Sequence, residues 1–130
     1  MGKRTSGGPT DAELAILQVL WQQGPSTVRQ VHERLAPARA TGYTTTLKLL
    51  QIMAGKGLVS RDESQRTHVY QARLSQQRTQ KQLVGDLLER AFAGSARKLV
   101  MQTLEAGDVS DDELAEIRRF LDELEGEAEQ

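Results

Sequence analysis

Positions 42–59 read GYTTTLKLLQIMAGKGLV, three consecutive threonines opening a segment whose apolar residues have helical spacing. Threonine is β-branched and its hydroxyl competes for backbone hydrogen bonds, so the run gives a helix nothing in stability. At about 100° per residue, Thr44, Thr45, Lys48 and Gln51 share one arc. Opposite lies an apolar face of Tyr43, Leu47, Leu50 and Ala54, flanked by Thr46, Leu49 and Met53. The polar arc suits the floor of a DNA major groove. Short hydroxyl side chains allow close backbone approach, donate to phosphates and bases, and offer a methyl to thymine. Glutamine suits adenine, and lysine suits guanine or phosphate. The plainer alternative makes Thr44 and Thr45 an N-cap and a first turn on a solvated face. Ile52 departs from the arc's chemistry, lying between Lys48 and Thr45, where it suits either a thymine methyl or another protein.

The remaining chemistry-bearing residues are sparser. Arg66, with Arg61 and Arg73 nearby, belongs to an expected hairpin tip, from which an arginine reaches the phosphate backbone or the minor groove. Asp62 and Glu63 in the same turn oppose that reading. Asp111, Asp112 and Glu113 form a carboxylate run, but a place in a helix's first turn accounts for them through capping and the macrodipole. No second ligand set faces them, so neither metal nor cofactor is expected. His68 is expected to pack on the apolar side of a sheet and His32 to lie at the surface. With no cysteine, no glycine-rich phosphate loop and no nucleophile constellation, nothing supports an enzyme.

A frame must position the arc. Thr10-Asp11-Ala12-Glu13 is a capping box ahead of Leu14, Leu17, Leu20 and Trp21, so a first helix starts near Asp11. Gly24-Pro25 stops it, Ser26 is expected to cap a second helix carrying Val28, Val31 and Leu35, and a loop at 36–40 leads to the third. That helix closes at Gly57 with Lys56 in its last turn. A strand over 58–61, a turn over 62–65 and a strand over 67–74 follow. In the second strand His68, Tyr70, Ala72 and Leu74 alternate with Val69, Gln71 and Arg73. Three helices and a two-stranded hairpin make the element order of a winged helix-turn-helix.

After Ser75 the helical pattern returns, with Leu83, Val84, Leu87, Leu88, Ala91 and Phe92 on one side until Gly94. Leu99, Val100 and Leu104 belong to a further helix ending by Gly107. Ser110-Asp111-Asp112-Glu113 is a second capping box, opening a helix with Leu114, Ile117, Leu121 and Leu124 at 3-4-3 spacing. About two heptads are too few for a free coiled coil, so these stripes are expected to pack on each other and on a second copy. Leu87, Leu88, Leu99, Leu114, Ile117, Leu121 and Leu124 are the expected dimerisation residues.

Charge divides the chain in the same way. Residues 1–75 hold 10 Lys and Arg against 5 Asp and Glu, a balance of +5, and residues 76–130 hold 7 against 13, a balance of −6, which together give the net −1. The basic part suits a polyanion. No apolar run reaches the ~20 residues of a membrane span, and MGKRTSGGP lacks a signal peptide's apolar core, so a soluble cytoplasmic protein is expected. The expected organisation is a disordered tail at 1–9, a winged-helix DNA-binding domain at 10–75, a helical dimerisation domain at 76–125 and an acidic tail at 126–130. The fold class is mostly α with a small β-hairpin.

The stretches TDAELAILQVLW, STVRQVHERL, GYTTTLKLLQIMAGKGLVSRD and THVYQARLS together resemble the penicillinase repressor family, the BlaI/MecI type, to which copper-responsive repressors are related. The resemblance implies a dimer bound to a palindromic double-stranded operator, with Tyr43, Thr44, Thr45, Lys48 and Gln51 on the reading helix and Arg66 on the wing. Family members often carry a basic residue where this chain has Ile52. In the antibiotic-responsive branch a membrane-bound sensor peptidase relieves repression by a cut between Asn and Phe. The corresponding place here is Gln102-Thr103, in a chain without asparagine. The copper branch senses metal through cysteines, which this chain lacks. Two other readings differ in class: an adaptor whose third helix docks a protein through Ile52, and a repressor with a small-molecule pocket between wing and dimer helices, for which nothing polar or aromatic speaks.

Overall fold

A computed structural model of the chain describes residues 8–37 and 41–128. Most of the expected tail at 1–9, and three positions of the expected loop at 36–40, lie outside that set. The elements run α1 (Asp11–Gln23), β1 (Ser26–Thr27), α2 (Val28–Leu35), α3 (Tyr43–Lys56), β2 (Val59–Asp62), β3 (Val69–Ala72), α4 (Gln76–Ala91), α5 (Ala96–Glu105) and α6 (Asp111–Ala128). They form two compact units that divide inside α4, between Leu83 and Val84.

The first unit is a winged helix. Its α1 begins with the expected capping box, Thr10 accepting from the Glu13 amide and Glu13 accepting from the Thr10 amide. The second helix starts one residue later than expected. Thr27 is its N-cap, in a further capping box with Gln30, while Ser26 is buried and pairs with Tyr70 in a strand. The hairpin is therefore part of a three-stranded antiparallel sheet of order β1-β3-β2. The turn after α1 is thereby tied to the wing. Registers Arg61↔Tyr70 and Val59↔Ala72 set the β2–β3 pair.

Packing follows from the helical stripes. Ile16, Leu17, Val19 and Leu20 of α1, Val28, Val31 and Leu35 of α2, Leu50 and Met53 of α3, and Val59 and Tyr70 of the sheet make one core. Trp21 packs at its edge and donates its indole N–H to the Leu74 carbonyl at 3.0 Å. The core face of α3 differs from the expected one. Thr46 is fully buried beside Leu50 and Met53, whereas Tyr43 is 43% exposed. The apolar stripe is rotated because Thr46 is small enough to lie under α2, where its hydroxyl meets His32 Nδ1 and the Gly42 carbonyl, each at 3.4 Å.

Gly57 ends α3 in the left-handed region at φ 83°, and the Leu58 amide returns to the Met53 carbonyl at 2.9 Å. Gly55, the penultimate residue of α3, is harder to explain, because a Cβ there would meet nothing within 4 Å. Glycine inside an exposed helix costs about 0.5–1 kcal/mol relative to alanine. Gly55→Ala should therefore raise the urea unfolding midpoint by a corresponding amount, with the slope of the transition unchanged.

In the second unit, Gly94 at φ 79° separates α4 from α5, Ser95 caps α5, and the expected Ser110–Glu113 box opens α6. The last helix continues to Ala128, through most of the stretch expected to be an acidic tail. Among its described residues none is buried. Val84, Leu87, Val100, Met101, Phe120, Leu121 and Leu124 are each between 45% and 58% exposed. No helix of the described residues is long and apolar enough to cross a membrane.

Candidate nucleic-acid interface

The core side of α3 fixes what the opposite side presents. With Thr46, Leu50 and Met53 buried, Thr44, Thr45, Lys48, Gln51 and Ile52 all face solvent. The three threonines thus divide: Thr46 is core, and Thr44 and Thr45 stand on the free arc. Tyr43 opens the helix at the margin of this surface, held by two residues of α2. The Arg29 guanidinium lies 5.8 Å from its ring centroid, and the His32 ring meets it edge-on at 5.9 Å. His32 is accordingly half-buried between Tyr43 and Thr46 rather than a free surface residue.

The wing stands across from the helix. A groove of about 600 Å3 separates them, its lining including Arg29, Tyr43, Gln51, Arg66, His68 and Tyr70. Arg66 is exposed at the hairpin turn, as expected. His68 is also exposed, contrary to the expectation that it packs on the sheet, because β3 begins only at Val69 and no pleat turns His68 inward. The acidic residues of the turn are engaged locally. Glu63 pairs with Arg61, and Asp62 accepts from the Ser64 amide at 2.9 Å, which holds its carboxyl below the ordinary aspartate value. Bonding to Tyr70 first, then the Glu63 charge, keeps Arg61 more firmly protonated than an ordinary arginine. Arg61 is therefore the neutralised member of the wing. Among the described residues the ion pairs are Arg61–Glu63 and Lys56–Glu13, leaving Lys48 and Arg66 as cations with no acidic partner.

The arrangement offers a helix arc of hydroxyls, an amide and an ammonium, flanked by a guanidinium on a hairpin. Hydroxyls and amides bond base edges and phosphates, and free cations displace counterions from a duplex. Among the described residues no three His, Asp or Glu side chains could hold a metal ion together. Two contributors were not marked by the sequence. Arg29 and Thr67 reach the groove only because α2 and the wing pack around α3, a relation that no local spacing carries. Of the expected dimerisation residues, Leu87, Leu121 and Leu124 are exposed, and Leu88, Leu99, Leu114 and Ile117 are half-buried. Phe120, at 58% the most exposed large apolar residue among those described, lies three residues after Ile117 and four before Leu124 and was not among the expected residues.

Comparison with known proteins shows the family of the chain and a likeness of fold. The family model described as Penicillinase repressor matches residues 9–123. The chain is 37% identical over 127 residues to the transcriptional regulator BlaI of Mycobacterium tuberculosis, covering 96% of this chain and 89% of that protein. It is 23% identical over 114 residues to the penicillinase repressor of Bacillus licheniformis, covering 88% of this chain and 89% of that one. The solved structure of a MarR family protein from Bacillus stearothermophilus matches at a TM-score of 0.50 and 20% identity, over 94% of this chain and 76% of that one, a likeness of fold.

Proposed function

Because the chain belongs to the penicillinase repressor family, a family of repressors and not of enzymes, we propose that it is a cytoplasmic, homodimeric transcriptional repressor whose α3 enters the major groove at each half of a palindromic operator. The observation that carries this reading is the free arc of α3. Thr44, Thr45, Lys48 and Gln51 face solvent on a helix whose other side is anchored in the core, with unpaired Arg66 across the groove. In this reading Lys48 and Gln51 meet base edges or phosphates, the threonines let the backbone approach, and Arg66 lies on the neighbouring backbone. The exposed apolar residues of the second unit support the dimer, since surface of that kind is ordinarily covered.

Selection of duplexes from a random DNA pool, followed by affinity at two salt concentrations, tests the proposal. The expected result is a palindrome with half-sites about one helical turn apart, bound more weakly as salt rises. Lys48→Ala should weaken that binding about tenfold. Its salt dependence decides Lys48's role: a shallower slope marks a phosphate contact, and an unchanged slope with relaxed preference at one base pair marks a base contact. Unchanged affinity would remove α3 from the reading role.

The adaptor reading rests on Ile52 and predicts binding to a protein that barely responds to salt. For relief of repression, the sensor peptidase implied by the family remains the proposed partner. Gln102 and Thr103 are exposed but lie within α5, where the Thr103 hydroxyl bonds the Leu99 carbonyl at 2.8 Å. A cut there requires α5 to open first.

A further inference from the structure

We infer that Ile52 is a specificity-determining residue that reads the methyl group of one thymine in each half-site, an assignment that rests on the DNA-reading role of α3 proposed above. Two features of α3 have no account in the fold. Ile52 is 45% exposed, and Gly55 sits in a helix with empty space where a side chain would stand. On the helical wheel both fall within the arc of Thr44, Thr45, Lys48 and Gln51.

The surroundings of Ile52 decide what it meets. Among the described residues of the first unit the exposed large apolar ones are Tyr43 and Ile52, and nine residues of helix turn them to opposite sides. Ile52 is thus a single apolar side chain among hydroxyls, an amide and an ammonium. A protein-docking surface is a contiguous apolar patch, and among the described residues of the first unit no other exposed large apolar side chain stands on this side of α3. The major groove presents one apolar group, the C5 methyl of thymine, isolated among donors and acceptors in the same way. Reach is adequate, because Thr44 and Ile52 are about 12 Å apart along the axis, and helices lying lengthwise in the groove read bases over two turns. Gly55, one turn beyond Ile52, removes the side chain that would hold this end of the helix off the duplex.

The test uses the full-length protein and its selected duplex, with each thymine replaced in turn by deoxyuridine, which removes only the methyl. Symmetric replacement at one position of each half-site should weaken binding about fourfold per half-site, roughly fifteenfold in all, as loss of one buried methyl predicts. The penalty should vanish in Ile52→Ala and persist in Ile52→Val, which keeps a branched apolar end. Since Ile52 is outside the core, Ile52→Ala should unfold at the same temperature as the unaltered protein. Uracil tolerated at every position, or a penalty that Ile52→Ala leaves intact, would overturn the inference while leaving the repressor reading standing. Failure to enrich any duplex would overturn both.

Discussion

Replacing Phe120 and Leu124 together by glutamate should give a folded monomer that binds the operator about a thousandfold more weakly than the unaltered protein. The two side chains are 58% and 45% exposed, so their loss opens no cavity within the chain. Glutamate is a good helix former, and α6 is already acidic. In the proposed dimer, what changes is the surface offered to a second copy, where a buried carboxylate has no partner and costs several kcal/mol. Linking two half-site readers makes the second contact intramolecular at an effective concentration near millimolar, worth about 10²–10⁴ in affinity. Sedimentation equilibrium and operator titration measure the two quantities separately. A variant that stays dimeric would place the interface elsewhere, and a monomer of undiminished affinity would mean that each copy acts alone.

How much of the fold could be read from the sequence depends on how far apart along the chain the interacting residues lie. The capping boxes at Thr10–Glu13 and Ser110–Glu113 were legible because donor and acceptor lie three residues apart, and the structure forms both. Gly57 was legible for the same reason. Ser26 and Thr27 are equally able to cap, and the choice falls to pairing with Tyr70 and Val69, more than forty residues away. A two-residue strand has no periodicity by which to recognise it. Hydropathy placed Tyr43 in the core and Thr46 beside it, yet Thr46 is the one buried, against His32 of α2, and Tyr43 is 43% exposed. The polar arc stays in solvent despite this rotation because Thr44, Thr45, Lys48 and Gln51 span enough of the wheel. Its neighbours Arg29 and Thr67 depended on how α2 and the wing fold back, which spacing along one helix does not encode.

Glu13 joins the capping of α1 to the placement of α3, and its replacement by alanine should cost about 2–3 kcal/mol of stability, measured by urea unfolding. The side chain is 2% exposed, with one carboxylate oxygen accepting from the Thr10 amide at 2.9 Å and the other from Lys56 Nζ at 2.7 Å. Lys56 is the last residue of α3, so this carboxylate ties the end of that helix to the start of α1. The Lys56 side chain is itself half exposed, which screens the ion pair and assigns most of the loss to the cap and to the buried space Glu13 fills. Burial pushes the Glu13 carboxyl up, but bonding to Lys56 and Thr10 outweighs it, so the folded value lies below the ordinary 4.5. A group depressed in this way stabilises the fold above its unfolded value, and that contribution disappears as pH falls through the folded value. Glu13→Gln keeps the shape and one acceptor but cannot titrate. The stability gap between it and the unaltered protein should therefore be constant near neutrality and close as the pH is lowered below 4.5. Curves that remain parallel down to the acid transition would mean that Glu13 holds α1 and α3 together through shape alone, and that its charge contributes nothing to where α3 sits.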